Sequence, residues 1–291
     1  MSEIRSRFRE CLHFCIHLRW HYQVFILSGG FLLGGLLSGL HAPADFFYHF
    51  LVIHLLLFGG ATVYNSYWDK DEGPIGGLRK PPPLAPWTRP ASLALQFAGM
   101  LLSLPMGPAY LLFYLSSMLL FWLYSNPVHR WKGHPLLSLI AIGVSTGTNS
   151  LVFGYLAAGS RLDPMLLVPA AGVACIMLSL YPVSQIYQRR EDEARGDRTF
   201  AVAFGARAVF RFFLAAYSVG TVLVAIGFNW YQPWLTVVFL VVALLAGGAS
   251  ALFLRSLGGE ASEYATVMRV KYTMSLLFVL FLLTAMVIHH Y

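Results

Sequence analysis

Residues 46–73 read FFYHFLVIHLLLFGGATVYNSYWDKDEG, and the class of the whole chain follows from how this stretch is understood. From Phe46 to Trp68 there is no Asp, Glu, Lys or Arg. A run of about 20 such residues is the length that crosses ~30 Å of hydrocarbon as a helix. It then ends abruptly in polar groups, with Asn65, Asp69, Asp71 and Glu72 arriving where a membrane helix would meet water. Asn65 and Asp69 are four residues apart and share a helical face, and His54, three turns earlier, lies on that same face. The stretch predicts a spanning helix that delivers a polar stripe to one membrane surface.

Comparable apolar runs recur at 21–40, 91–104, 107–124, 136–158, 165–187, 209–229, 234–254 and 268–288, which with 46–67 predicts nine transmembrane helices. Of the 291 residues, 57% are hydrophobic and only 11% charged, against about 25% charged in soluble domains. An ordinary soluble enzyme is excluded. No alternation with a period of two marks the segments of a closed barrel, so the predicted class is all-α. Residues 21–291 leave no long polar stretch for a second domain. They form one polytopic bundle, expected to hold a central cavity open to the cytoplasmic side. Residues 1–20 carry Arg5, Arg7, Arg9 and Arg19 among Phe8, Leu12, Cys15 and Leu18, the pattern of an interfacial helix. His13, His17 and Arg19 interrupt it too often for a signal peptide.

The formal net charge of +7 follows topology. Its basic residues sit in short loops with no continuous basic surface, which argues against a nucleic-acid partner. Nineteen of the twenty Lys and Arg fall on one side of the predicted bundle, and only Arg161 lies opposite. Because cytoplasmic loops hold the positive excess, the N-terminus is expected inside and His289, His290 and Tyr291 outside, in the plasma membrane of a bacterium or archaeon. Cys11, Cys15 and Cys175 form neither a disulfide framework nor a zinc motif and are expected as free thiols.

Seven of the thirteen acids fall into two clusters, Asp69, Asp71, Glu72 and Glu191, Asp192, Glu193, Asp197, both on the predicted cytoplasmic side. Like charges held together need solvent or a cation, and such oxygen-rich sites suit Mg²⁺ bound through one or two carboxylates plus substrate phosphate. The alternative is a solvated loop. Gln188 and Asp192 repeat the four-residue relation of Asn65 and Asp69, and Gln185 continues their stripe toward the membrane, where amides are costly unless they face a cavity. Two matching stripes point to one shared cavity. Arg79, Lys80, Arg130, Lys132 and Arg198 emerge on the same side and suit a metal-bridged diphosphate.

Ser145, Thr146, Thr148, Asn149 and Ser150 in the fifth run could orient a bound molecule or serve as glue between helices. Gly30 with Gly34 and Gly143 with Gly147 carry the spacing of close helix packing. His13 and His17 share a face, and headgroup contact is the expected role because no third metal ligand accompanies them. The run Gly73 to Gly77 lacks the ending of a P-loop, and the acids lack EF-hand spacing.

At these residues the chain resembles the UbiA family of intramembrane aromatic prenyltransferases, over nearly its whole length. The family's first motif, N-D-x-x-D-x-x-x-D, is matched by Asn65, Ser66, Tyr67, Trp68, Asp69, Lys70, Asp71, Glu72 and Gly73, with Asn65 and Asp69 standing and Gly73 replacing the final acid. Thr199, Phe200, Ala201, Val202, Ala203, Phe204 and Gly205 resemble the segment that follows the second motif. Counting back from it places Gln188 and Asp192 at the positions of that motif's two acids, so here too one carboxylate is replaced. Aligning on acids alone would give Glu193 and Asp197. Tyr124 and Ser125, followed by Arg130 and Lys132, resemble the family's tyrosine and basic segment.

The resemblance implies Mg²⁺-dependent transfer of a prenyl group from a prenyl diphosphate to a hydrophobic acceptor, aromatic or lipid-soluble, within the membrane. It assigns catalysis to Asp69 and Asp192, metal binding to Asn65, Asp69, Asp71, Glu72, Gln188 and Asp192, and diphosphate binding to Arg79, Lys80, Arg130, Lys132 and Arg198. His54, Tyr124, Asn149 and Gln185 are candidates for the substrate cavity. A terpene cyclase of the same family, in which the cation is captured by its own chain, is the alternative. A cation transporter is the alternative from another class, and would need polarity continuous across the membrane.

Overall fold

The computed structural model describes residues 2–231 and 233–290; Tyr291, part of the C-terminus expected outside, lies beyond the described residues. Among these the chain is helical throughout, with a lone bridge between Ile75 and Leu78 and no strand. Helix α1 spans Ser2–Leu18 and leaves Ile4, Phe8, Leu12 and Ile16 exposed on one face. At Arg19 the backbone turns left-handed (φ 48°), and Trp20–Leu27 leads into α2, Gly29–Ser38, bent by 48° from what precedes it. The remaining long helices are α3 (Pro43–Asp69), α5 (Pro108–Ser125), α6 (Pro135–Ala157), α7 (Pro164–Gln185), α9 (Phe200–Trp230), α10 (Pro233–Leu254) and α11 (Ala261–Ile288). Between them lie the shorter α4 (Thr88–Leu102) and α8 (Arg189–Ala194).

Proline opens five of the long helices, at Pro43, Pro108, Pro135, Pro164 and Pro233. Its missing N–H is no loss in the first turn and its φ is already helical. Seven described helices are long and apolar enough to cross a membrane, and the bent pair ending in Ser38 makes eight. At the place of the expected third span, α4 has only 15 residues, short of the ~20 that hydrocarbon thickness requires. It lies along α3, where Gly60 faces the Ser92 carbonyl, and the Tyr114 hydroxyl of α5 donates to its Gln96 carbonyl at 2.8 Å.

Glycines set how closely the helices pack. Gly34 of α2 and Gly154 of α6 face each other's backbones at Leu151 and Phe31, with no room for a Cβ. Gly172 of α7 and Gly220 of α9 make a second crossing, and Gly147 packs on Ala174. Such contacts supply the dispersion that must replace hydrophobic driving force inside a membrane. Inside, Phe31, Phe46, Leu57, Phe58, Tyr110, Tyr114 and Phe153 form a buried aromatic core, while Leu112, Leu119, Leu244 and Leu245 point outward. An outward apolar surface of this extent belongs against lipid. The chain is an integral membrane protein.

The second acidic cluster departs from expectation in its local form. Gln188 and Asp192 do not continue α7, because Pro182 breaks it into a 3₁₀ turn, Pro182–Gln185. Gln188 instead precedes α8, and Asp192 N–H donates to the Gln188 carbonyl at 2.9 Å, so the pair keeps a common face. Helix α9 starts at Phe200, earlier than the apolar run suggests, with Gly205 (φ 76°) as a kink that only glycine adopts without strain.

Candidate functional site

A cavity of about 210 Å³ opens where α3, α5 and α7 end. Three π-helical stretches, Gln23–Leu27, Val52–Phe58 and Gly143–Thr148, each turn residues into it: Gln23, Ile26 and Leu27 from the first, Phe58 from the second, Thr146 from the third. Such bulges rotate the helix beyond them and are common at functional sites. The lower wall is apolar, with Phe58, Phe121, Ile142, Met177 and Leu180; the rim is polar, with Asn65, Asp69, Asp71, Lys132, Gln188 and Asp192. Both sequence clusters therefore reach one space.

Asp69 is the last residue of α3. Lys70 ends the helix in a left-handed turn (φ 51°), which brings Asp71 back to the cavity. On the other side Arg130, also left-handed (φ 40°), aims Lys132 inward from a 3₁₀ turn. Lys132 Nζ pairs with Asp69 Oδ2 at 2.5 Å, and Arg130 Nη1 stands 3.6 Å from Asp69 Oδ1. Arg130 spends its fork on Asp197, with Nε and Nη2 each donating at 2.6 Å. Arg195 binds Asp71 Oδ1 at 2.8 Å and Glu191 Oε1 at 3.0 Å, and Glu191 Oε1 accepts from the Glu72 N–H at 3.1 Å. The two clusters, more than a hundred residues apart, are stitched by two arginines.

Asp192 stands outside this network. Its carboxyl group lines the cavity, buried, with no hydrogen bond or ion pair among the described residues. Burial raises its pKa to about 7, Asp197 and Asp71 add to the rise, and Lys132 and Arg195 oppose it. Asp69 Oδ1 is also buried without a hydrogen-bond partner. The Asn65 amide donates to Ser125 Oγ at 3.3 Å, leaving its oxygen unpartnered among the described residues, as is the Gln188 side chain. No three acid, His or Cys groups converge to bind a metal by themselves among the described residues. Unmet carboxylate and amide oxygens at one rim suit Mg²⁺, which takes few protein ligands and completes its shell with water and phosphate.

The other expected site residues divide between the cavity wall and places outside it. Tyr124 and Gln185 line the cavity, Tyr124 sharing a hydroxyl contact of 3.0 Å with Tyr181, and Gln185 accepting from the Ala201 N–H at 3.2 Å. Glu72, Arg79, Lys80 and Arg198 are exposed and outside the lining. Two of them contribute through the backbone, the Glu72 N–H to Glu191 and the Arg198 N–H to the Gly133 carbonyl at 3.0 Å. His54 sits in a cage of Phe31, Phe50 and Phe58, donating from Nδ1 to the Phe50 carbonyl at 2.7 Å. Asn149 binds Ser116 and Ser117 of α5 at 2.8 and 2.9 Å, which makes it glue between helices. His13 and His17 donate to the carbonyls of Pro83 and Pro82 in the loop after α3. Of the alternative second pair, Glu193 is exposed and Asp197 is turned to Arg130.

Arg19, Tyr22 and Lys271 also line the cavity, and sequence reasoning took Arg19 and Lys271 for topology charges. The signal for Lys271 was present. A cation inside an apolar run is costly unless it faces a cavity.

Three comparisons bear on this geometry. Residues 26–272 match the family model described as the UbiA prenyltransferase family. Similar solved structures include a UbiA homolog from Archaeoglobus fulgidus bound to DMAPP and Mg²⁺, with TM-score 0.71 and 13% identity over 94% of this chain and 99% of that one. The same homolog bound to GPP and Mg²⁺ gives TM-score 0.71 and 14% identity over the same shares. A digeranylgeranylglyceryl phosphate synthase gives TM-score 0.66 and 17% identity over 96% and 99%. Among curated proteins no sequence matches. These structural likenesses establish the fold, and the family match over most of the chain establishes kinship: the chain belongs to the UbiA prenyltransferase family and is an enzyme of that class.

Proposed function

We propose that the protein transfers a prenyl group from a prenyl diphosphate to an aromatic or lipid-soluble acceptor within the membrane, with Mg²⁺ as cofactor. One observation carries this reading: Asp69 and Asp192, from clusters far apart in the chain, face one cavity above an apolar wall, with Asp69 Oδ1 and the Asp192 carboxyl group without hydrogen bonds among the described residues. Asp69 and Asp192, with the amide oxygens of Asn65 and Gln188, would hold the metal, and Asp71 stands beside them. When bound, Mg²⁺ supplies charge neutralisation at the departing diphosphate. Lys132, which lines the cavity, would receive diphosphate oxygens as the carbon–oxygen bond breaks and its electron pair leaves with the phosphate, and Arg130, held on Asp197 behind it, would add its charge. Phe58, Phe121, Ile142, Met177 and Leu180 exclude water from the allylic cation that remains. An apolar groove continues the cavity through Ile26, Met177, Leu180 and Ser275 to Phe278 and Phe281, and suits the isoprenoid tail.

Counting α4 as the third span, the chain crosses the membrane nine times, with the N-terminus and cavity mouth cytoplasmic and the C-terminus opposite. The bias of Lys and Arg supports this orientation. The polar wall of Arg19, Tyr22 and Lys271 favours an acceptor over self-capture by the prenyl chain. The test incubates purified protein with Mg²⁺, prenyl diphosphates of several lengths and a lipid-soluble acceptor mixture, and follows diphosphate release and prenylated products by mass spectrometry. Cyclic hydrocarbon without an adduct would give the cyclase reading, and no diphosphate release under any combination would overturn both.

A further inference from the structure

Helix α1 has two faces with different surroundings. Its inner face carries the loop that leads from α3 to α4, side chain by side chain and in antiparallel order. Arg19, where α1 ends, donates to the Gly76 carbonyl at 3.0 Å, and His17 and His13 donate to the carbonyls of Pro82 and Pro83 at 2.8 and 2.9 Å. Glu10 accepts from the Trp87 indole N–H at 2.9 Å, and Phe14 packs on that ring at 5.4 Å. The loop has no helix of its own and passes through Pro81, Pro82 and Pro83. It nevertheless brings Asp71, Ile75 and Gly76 to the cavity, with α1 as its spine.

The outer face is bare. Ile4, Phe8, Leu12 and Ile16, spaced by four, are 75%, 72%, 50% and 36% exposed. Helical spacing puts Arg5 and Arg9, both exposed, along one edge of this stripe and Cys15 near its middle. The acids of α1 lie off it, with Glu10 on the loop side and Glu3 paired with Arg7 at 2.9 Å. An apolar stripe edged by arginine and free of carboxylate complements a bilayer surface whose head groups are anionic. Its depth agrees. Trp20 and Trp87, both partly exposed, stand beside the C-terminal half of α1, and tryptophan concentrates at the membrane–water boundary. The 48° bend before α2 tips α1 away from the spanning direction and toward the membrane plane. We infer that the outer face of α1 docks on the anionic head groups of the surrounding bilayer, and that the loop carrying Asp71 takes its position from a helix so seated. The inference does not rest on prenyl transfer, because docking and loop order are read without substrate.

The test uses the full chain with Cys11→Ser and Cys175→Ala, which leaves Cys15 as the only thiol, in nanodiscs of phosphatidylcholine with or without phosphatidylglycerol. A water-soluble maleimide reports whether Cys15 lies in lipid. With phosphatidylglycerol, Cys15 should react at least about tenfold more slowly than the same thiol in the unfolded chain. Neutral nanodiscs, or Arg5→Gln together with Arg9→Gln, should restore most of the rate, since each arginine at an anionic surface strengthens binding about fivefold. Phe8→Asp should restore it with phosphatidylglycerol present and should speed hydrogen exchange of the amides of residues 76–80 several-fold. A thiol as reactive in both lipids as in the unfolded chain would overturn the docking. Protection indifferent to phosphatidylglycerol would overturn the anionic occupant, and protection found only with two copies per disc would give the face to a second copy of the chain. Exchange at 76–80 unmoved by Phe8→Asp would overturn the hold on the loop.

Discussion

Asp69 and Asp192 occupy equivalent places in two similar motifs, yet they live in opposite electrostatic conditions. Asp69 is clasped by Lys132 at 2.5 Å and approached by Arg130. Asp192 faces the same cavity with no ion pair among the described residues, and burial raises its pKa to about 7. A carboxylate that already has its counter-charge organises the fold before ligand arrives. One that lacks it is satisfied only when a cation does. The first acid is therefore expected to serve stability and chemistry together, and the second chemistry alone.

The largest effect should follow from breaking the clasp. Asp69→Ala is expected to lower the rate of diphosphate release by about 10³-fold and to cost ~3–5 kcal/mol of stability, because Lys132 is left buried and unpaired. Turnover and thermal melting measured on one preparation check both. Asp192→Ala should reduce release by about 10²-fold while the melting temperature holds or rises. If the two variants melted alike, the distinction between the acids would collapse.

Smaller effects sharpen the same contrast through the two replaced acids. Gln188→Asp adds a charge beside unpaired Asp192 and should lower the Mg²⁺ concentration for half-maximal activity by about tenfold, ~1.4 kcal/mol. Gly73→Asp should give no such gain. Gly73 has no left-handed φ, but a Cβ there would stand 2.7 Å from Glu191 Oε2, so a new carboxylate meets an existing one. A Mg²⁺ titration of each variant decides, and a gain from Gly73→Asp would return that position to the metal site. Arg79→Ala, Lys80→Ala and Arg198→Ala should each leave the KM for the prenyl diphosphate within about twofold, as exposed charges contribute little. A several-fold rise for any of them would mean that its loop closes over the donor.

Much of the site was legible because helical geometry converts spacing into position. Asn65 with Asp69 and Gln188 with Asp192 meet one cavity as their four-residue spacing requires, even though Pro182 moved the second pair onto a separate short helix. Arg79, Lys80 and Arg198 were not separable from Lys132 in sequence, since loop direction depends on the left-handed turns at Lys70 and Arg130. His54 shares a helical face with Asn65 by spacing, but it lies inside the π-helical stretch Val52–Phe58 and three phenylalanines enclose it.

By itself the sequence determined the class, the approximate spans and the helix end that carries Asp69, because hydrocarbon thickness and the cost of unpaired backbone leave few alternatives to a run of apolar residues. Tertiary structure alone decided which charges neutralise which. The pairing of Asp197 with Arg130, the isolation of Asp192 and the exposure of Lys271 to the cavity depend on contacts within 4 Å between segments 61 to 249 residues apart. Coulomb energy changes steeply over such distances in a buried site, and no spacing along the chain encodes them.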